Sequence, residues 1–215
     1  MRTKALLVAA VLAAGLATSM AQNVYSLNVV GYYNVTIPAN GGLQMIVNQL
    51  DTPDNTLVSL VKDVPDGTQF FKWTGSAFAL SLYEDLGDGG EWSTDFSMAP
   101  GEGGFIKNNS GTPLTITFVG EVKQGELVNP IPAGYSLLGS IVPQAGGVSS
   151  NLEMPAADGD QLFKWTGTAY DTYLYEDLGE GGEWGPAEPT VNVGEGFFIR
   201  KNVAVDWVRN FAVPK

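Results

Sequence analysis

The residues best placed to do chemistry lie in two acidic turns. Glu84-Asp85-Leu86-Gly87-Asp88-Gly89-Gly90-Glu91 and Glu176-Asp177-Leu178-Gly179-Glu180-Gly181-Gly182-Glu183 space carboxylates three residues apart on glycine-rich backbone. Calcium takes about six to eight oxygens from carboxylates, carbonyls and water. Asp85, Asp88 and Glu91, with Asp177, Glu180 and Glu183, are therefore candidate calcium ligands, and calcium is the one cofactor the chain suggests. The alternating Asp/Asn ligands and the closing Glu of an EF-hand loop are missing. The same residues also read as solvated hairpin loops, in which Gly-Gly makes the turn and the acids give solubility.

Aromatic residues are the second candidates. Trp73, Tyr83, Trp92, Trp165, Tyr175 and Trp184 stand beside these acids, and exposed Trp and Tyr next to carboxylates can stack on and hydrogen-bond sugar rings. Trp and Tyr also bury large areas in a β core, and the Lys-Trp-Thr-Gly and Gly-Glu-Trp contexts suit packing, so core is the expected place for the Trp pairs. Glu84 or Asp85 with Glu91 could in principle form the carboxyl pair of a glycosidase. A catalytic pair needs one deep site with two different environments, whereas these residues sit on turns and occur twice. Gly101-Glu102-Gly103-Gly104 and Gly194-Glu195-Gly196 lack the Lys and the following helix of a phosphate-binding loop and read as β-turns.

Composition removes most other chemistry. The chain has no His and no Cys. That excludes Ser-His-Asp and Cys-His catalysis and nearly every zinc site, and it leaves stability to the core rather than to disulfides. The first residues read as a leader. Arg2 and Lys4 precede the apolar run Ala5–Ala17, and Ser19-Met20-Ala21 offers a peptidase site, with cleavage expected after Ala21. No later stretch is long and apolar enough for a membrane helix, so the expected product is a secreted protein without membrane insertion. Its net charge of about −14, against −12 for the whole chain, argues against nucleic acid as a partner and is compatible with cations, neutral polysaccharide or self-association.

The elements that must position these residues are duplicated. Asp66–Trp92 and Asp158–Trp184 align without a gap at an offset of 92, with 19 of 27 positions identical, and GEGGFIKN at Gly101–Asn108 returns as GEGFFIRKN at Gly194–Asn202. Repetition at this scale indicates two copies of one module. Strands are read at Phe70–Thr74 and Leu80–Tyr83, and again at Leu162–Thr166 and Thr172–Tyr175. Leu114–Phe118 and Val203–Trp207 are read as the closing strands of the two copies. Ile37-Pro38-Ala39 and Ile131-Pro132-Ala133 open equivalent apolar strands. Thr56–Lys62 is the single candidate helical turn, with Ser149–Glu153 as its shortened counterpart. In Asn28–Pro38, Val29, Tyr33, Val35 and Ile37 share one face of a period-two strand. Short strands bounded by Gly, Pro, Asn and Asp predict an all-β fold of two tandem pseudo-repeated β-sandwich-like modules. The expected divisions are a signal peptide over 1–21, module 1 over 22–126 and module 2 over 127–215.

The strand after the leader, QNVYSLNVVGYYNVTIPANGG, resembles the start of a group of exported all-β repeat proteins of environmental Gram-negative bacteria. Asn48-Gln49-Leu50, the Phe-Lys-Trp-Thr-Gly hairpins at Phe71–Gly75 and Phe163–Gly167, and Gly194–Phe198 are similar to later motifs of that group. The resemblance implies a secreted β-repeat protein and transfers no catalytic residues, because the group has none agreed. Gly104 departs from the pattern where the second copy has Phe197.

The expected function is a secreted, non-catalytic structural or adhesive role at the cell surface or in the extracellular matrix. A carbohydrate-binding module pair is the alternative, and a glycoside hydrolase a third. Two structural expectations follow. Trp73 and Trp165 should occupy equivalent, mostly buried places. The strand within Asn23–Pro38, read as having no equivalent in copy two, should either close its own fold, beside Val203–Val213, or add to a neighbouring molecule's sheet.

Overall fold

A computed structural model describes residues 29–87, 89–179 and 181–213. Residues 1–28, Asp88, Glu180, Pro214 and Lys215 lie outside the described residues, and with them the expected leader and cleavage site. The first half runs β1 (Val29–Ile37), β2 (Gly42–Val47), a helical turn α1 (Leu57–Leu60), β3 (Gln69–Trp73), β4 (Phe78–Glu84), β5 (Glu91–Trp92), β6 (Gly103–Asn108) and β7 (Leu114–Val122). The second runs β8 (Gly125–Ile131), β9 (Gly134–Leu138), β10 (Gly146–Gly147), β11 (Gln161–Trp165), β12 (Tyr170–Glu176), β13 (Glu183–Gly185), β14 (Thr190–Val191), β15 (Phe197–Lys201) and β16 (Val205–Phe211). The fold is all-β in two similar modules, as the repeat predicts.

Each module is an antiparallel five-stranded sheet covered by a two-stranded ribbon. The sheets have the orders β2-β6-β3-β4-β5 and β9-β15-β11-β12-β13, and the ribbons are β1·β7 and β8·β16. Alternation of side chains across each strand sorts the apolar residues into three cores. Ile46, Phe70 and Ile106 face the β1·β7 ribbon residues Tyr33, Ile37 and Phe118. Leu138, Leu162, Phe197 and Ile199 face Ile131 and Trp207 of the other ribbon. Met45 and Phe105 of the first sheet meet Leu137 and Phe198 of the second, flanked by Phe71, Trp73, Phe163 and Trp165. The layer order is therefore ribbon, sheet, sheet, ribbon. Strands β6 and β15 are apolar on both faces because they are covered on both.

The N-terminal strand corrects two expectations. β1 pairs along its whole length with β7, from Val29↔Val122 to Ile37↔Leu114. It closes its own module, beside the end of copy one and not beside the last strand. The last strand pairs instead with β8, from Val205↔Ile131 to Phe211↔Gly125. β8 is thus the equivalent of β1 that the second copy was read as lacking. Gly31 and Ile37-Pro38-Ala39 match Gly125 and Ile131-Pro132-Ala133, but the residues between have diverged. Val203, read as part of the last strand, lies outside β16 and is exposed. The domain boundary read at 126/127 falls inside β8, and the ribbons are joined by Lys123-Gln124.

The two cores solve the same packing problem differently. In module 1, Phe70 lies against Gly104, where an added Cβ would come within 2.5 Å of the Phe70 ring. In module 2 the corresponding residues are Leu162 and Phe197, both fully buried, with Phe197 against Trp207. Module 1 leaves room for the Phe70 ring at Gly104, and module 2 holds the smaller Leu162 beside Phe197 and Trp207.

Candidate functional site

The two acidic turns close equivalent hairpins. β4 pairs with β5 at Tyr83↔Trp92 and Glu84↔Glu91, and β12 with β13 at Tyr175↔Trp184 and Glu176↔Glu183. The turns are built locally. Asp66 Oδ1 accepts from the Asp85 amide at 2.9 Å, and Asp85 Oδ1 accepts from the Gly87 amide at 2.8 Å. Asp158 and Asp177 repeat both bonds at 3.0 and 2.9 Å. One oxygen of Asp85 and of Asp177 is thus committed to its own turn. Glu84, Glu91, Glu176 and Glu183 are exposed. Among the described residues, no group of three or more carboxylates is close enough to hold a metal ion. A calcium site would have to include Asp88 or Glu180, which are not described. Calcium held there would raise the melting temperature with its concentration, and a curve unmoved up to about millimolar calcium would count against it. At each tip a leucine, Leu86 or Leu178, is more than nine-tenths exposed.

The aromatic candidates separate into two groups. Tyr83 with Trp92, and Tyr175 with Trp184, form edge-to-face pairs with centroids 5.4 and 5.3 Å apart. Both Trp are buried under the covering loops. Trp92 Nε1 donates to the Val61 carbonyl, and Trp184 Nε1 donates to Ser149 Oγ, each at 2.9 Å. Beside each pair runs a shallow groove, completed by Val58 and Lys62 in module 1 and by Ser150 and Pro186 in module 2.

Trp73 and Trp165 occupy equivalent positions, as the duplication requires, but they are half-buried between the modules. Trp73 Nε1 donates to the Tyr135 carbonyl at 3.0 Å, and Trp165 Nε1 donates to the Leu43 carbonyl at 2.8 Å. Residues 43 and 135 are themselves equivalent, so each module offers the other the same tryptophan and the same carbonyl. The Trp73 ring meets Phe198 and the Trp165 ring meets Phe105, edge to face at 5.3 and 5.5 Å. Repetition of these residues in the sequence marks the interface without revealing that it joins one copy to the other.

The neighbouring charges act as clamps. Lys72 and Lys164 precede these tryptophans and pair with Glu102 and Glu195, each at 3.2 Å. Burial pushes the Glu102 carboxyl up, but the Lys72 ammonium, the Ser97 hydroxyl and the Ala99 amide together hold it below its usual range. Burial likewise pushes Glu188 up, and the amide and hydroxyl of Ser150 with the Ser149 amide outweigh it, so it too is lowered. Sequence reading missed Glu188; it stands 93 residues after Asp95, which accepts from the Val58 amide at the start of α1. A carboxyl with a depressed folded pKa contributes stability above its unfolded value of about 4.3, and that contribution is lost as pH falls through the lower folded value. Glu188→Gln should therefore flatten the fall in melting temperature between about pH 5 and about pH 3. If the variant loses as many degrees as the parent over that interval, the clamp contributes nothing.

No family model, no curated protein and no solved structure matches this chain.

Proposed function

We propose that this chain is an exported, non-catalytic structural or adhesive protein of the cell surface or extracellular matrix. The observation that carries this reading is the commitment of the indoles. The chain has five Trp, and each donates its ring N–H to another residue of the same chain: Trp73, Trp92, Trp165 and Trp184 as described, and Trp207 to the Leu152 carbonyl. A sugar-binding ledge needs a broad aromatic face turned to solvent, whereas Trp92, Trp184 and Trp207 are buried and Trp73 and Trp165 pack edge to face on Phe198 and Phe105. Glu102 and Glu188, whose pKa values are lowered, are engaged by neighbouring backbone amides and hydroxyls, Glu188 at the rim of the shallow groove beside Trp184. The two modules share a core and build one thick body, with the acidic turns at its exposed hairpin ends. The leader pattern read in residues 1–21 and the resemblance to exported β-repeat proteins favour export.

Screening the chain from Gln22 onward against a polysaccharide array and chromogenic glycosides tests the reading. The expected result is neither saturable binding nor turnover, with immunogold label on the surface or matrix of the producing cells. Saturable binding of one glycan class would transfer the protein to the carbohydrate-binding reading. Glycoside turnover would make it a hydrolase, and label confined to the cytoplasm would remove the surface role.

A further inference from the structure

The contacts between the modules occur in pairs with their roles exchanged. Beside the two indole bonds, the Val47 amide donates to the Gly194 carbonyl and the Gly139 amide to the Gly101 carbonyl, both at 3.0 Å. Single β-bridges join Ile46 to Glu195 and Leu138 to Glu102. This is the geometry of a two-fold, self-complementary interface between subunits, here closed within one chain. Its residues come from the sheets β2-β6-β3 and β9-β15-β11. None of these contacts depends on the two modules belonging to the same chain.

What keeps them together is short. β7 ends at Val122 and β8 begins at Gly125, so Lys123-Gln124 alone passes from one ribbon to the other. Gly125 turns this corner with φ +89, and an added Cβ there would meet nothing within 4 Å. The corner is therefore held by glycine's access to the left-handed region and not by packing around that residue.

We propose that this protein assembles with further copies of itself by exchanging modules, module 1 of one chain seating on module 2 of another. The contacts between the two sheets are kept, and the segment around Lys123-Gln124-Gly125 opens, giving up the Lys123–Asp51 pair and the bond from the Val213 amide to Gln124 Oε1. Two chains that exchange reciprocally close as a dimer, and chains that each exchange with a different neighbour extend into a filament. The inference concerns assembly and stands apart from the adhesive reading, which the glycan screen tests.

The test uses the whole chain from Gln22, refolded from urea at low micromolar and at near-millimolar concentration and sized by chromatography with light scattering. Two differently tagged versions are either refolded together or mixed while native. Exchange predicts dimers and larger species that rise with refolding concentration and persist on dilution, with mixed-tag species only after refolding together. Gly125→Val removes easy access to the left-handed corner and should raise the exchanged-to-closed ratio by about tenfold. Inserting a flexible Gly/Ser segment after Gln124 should shift the population back to monomer, and it keeps the test available if Gly125→Val does not fold. Monomer at every refolding concentration would overturn the proposal. So would dimers that mix without unfolding and part on dilution, because those would be surface association.

Discussion

Replacing Asp160 by Asn is expected to destabilise the protein by about 3–5 kcal/mol. Asp160 and Lys201 form a pair at 2.6 Å with both side chains only 2 % exposed. Asp160 also accepts from the Ala157 amide at 2.8 Å, and Lys201 donates to the Pro155 carbonyl. The variant leaves a buried ammonium without its counter-charge, which is why the loss exceeds that of an ordinary hydrogen bond. Module 1 contains the neutral solution to the same place. Thr68 and Asn108 occupy the equivalent positions, both fully buried, and Thr68 Oγ1 donates at 2.6 Å to the carbonyl of Pro65, which has no amide hydrogen to offer. The double variant Asp160→Thr/Lys201→Asn should therefore return to within about 2 kcal/mol of the parent, since removing both charges avoids the unpaired state. Urea denaturation of the three proteins decides it. A single variant within about 1 kcal/mol of the parent would mean that the pair is not sealed from water.

Phe197→Ala is the second large effect, with an expected loss of about 3–5 kcal/mol. The Phe197 ring is fully buried, 6.4 Å from the Trp207 ring, in the core that also holds Leu162. Module 1 shows how the space is otherwise filled, with Phe70 against Gly104. Leu162→Phe alone should cost about 1–3 kcal/mol by overpacking. Combined with Phe197→Gly it should cost less than the sum of the single changes, with a coupling of about 1–3 kcal/mol. Additive losses would show that the two cores are not interchangeable solutions. Full recovery is not expected, because Trp207 stands where module 1 has Ile116 and would still face a changed neighbour.

Much of the fold was legible because strand and turn signals are local. The Val29–Ile37 face, the Thr-Gly hairpins after Trp73 and Trp165, and the helical turn at Leu57–Leu60 all follow from period-two patterning, turn residues and the capping box of Thr56 with Ser59. β8 was missed because Gly125–Ile131 keeps only the Gly and the Ile-Pro-Ala exit of its counterpart, and its centre carries Pro130 and Asn129 in place of Thr36 and Val35. Its identity as a strand comes from pairing with β16, a partner about eighty residues away in the chain.

The candidate site divides along the same line. Asp85 and Asp177 as turn-forming carboxylates, and Trp92 and Trp184 in turn contexts that suit packing, could be read from neighbouring residues. The reciprocal placing of Trp73 and Trp165 could not. By itself the sequence determined that there are two copies, that both are β, and that neither holds a histidine or a cysteine. Only the tertiary structure decided that the copies face one another, that each tryptophan reaches the other module's carbonyl, and that Lys201 is neutralised by Asp160 where Asn108 needs no partner charge. Repetition, periodicity and composition are properties of short stretches of chain. Which buried surface meets which depends on long-range packing, where the same residue type serves equally well within a module or between two.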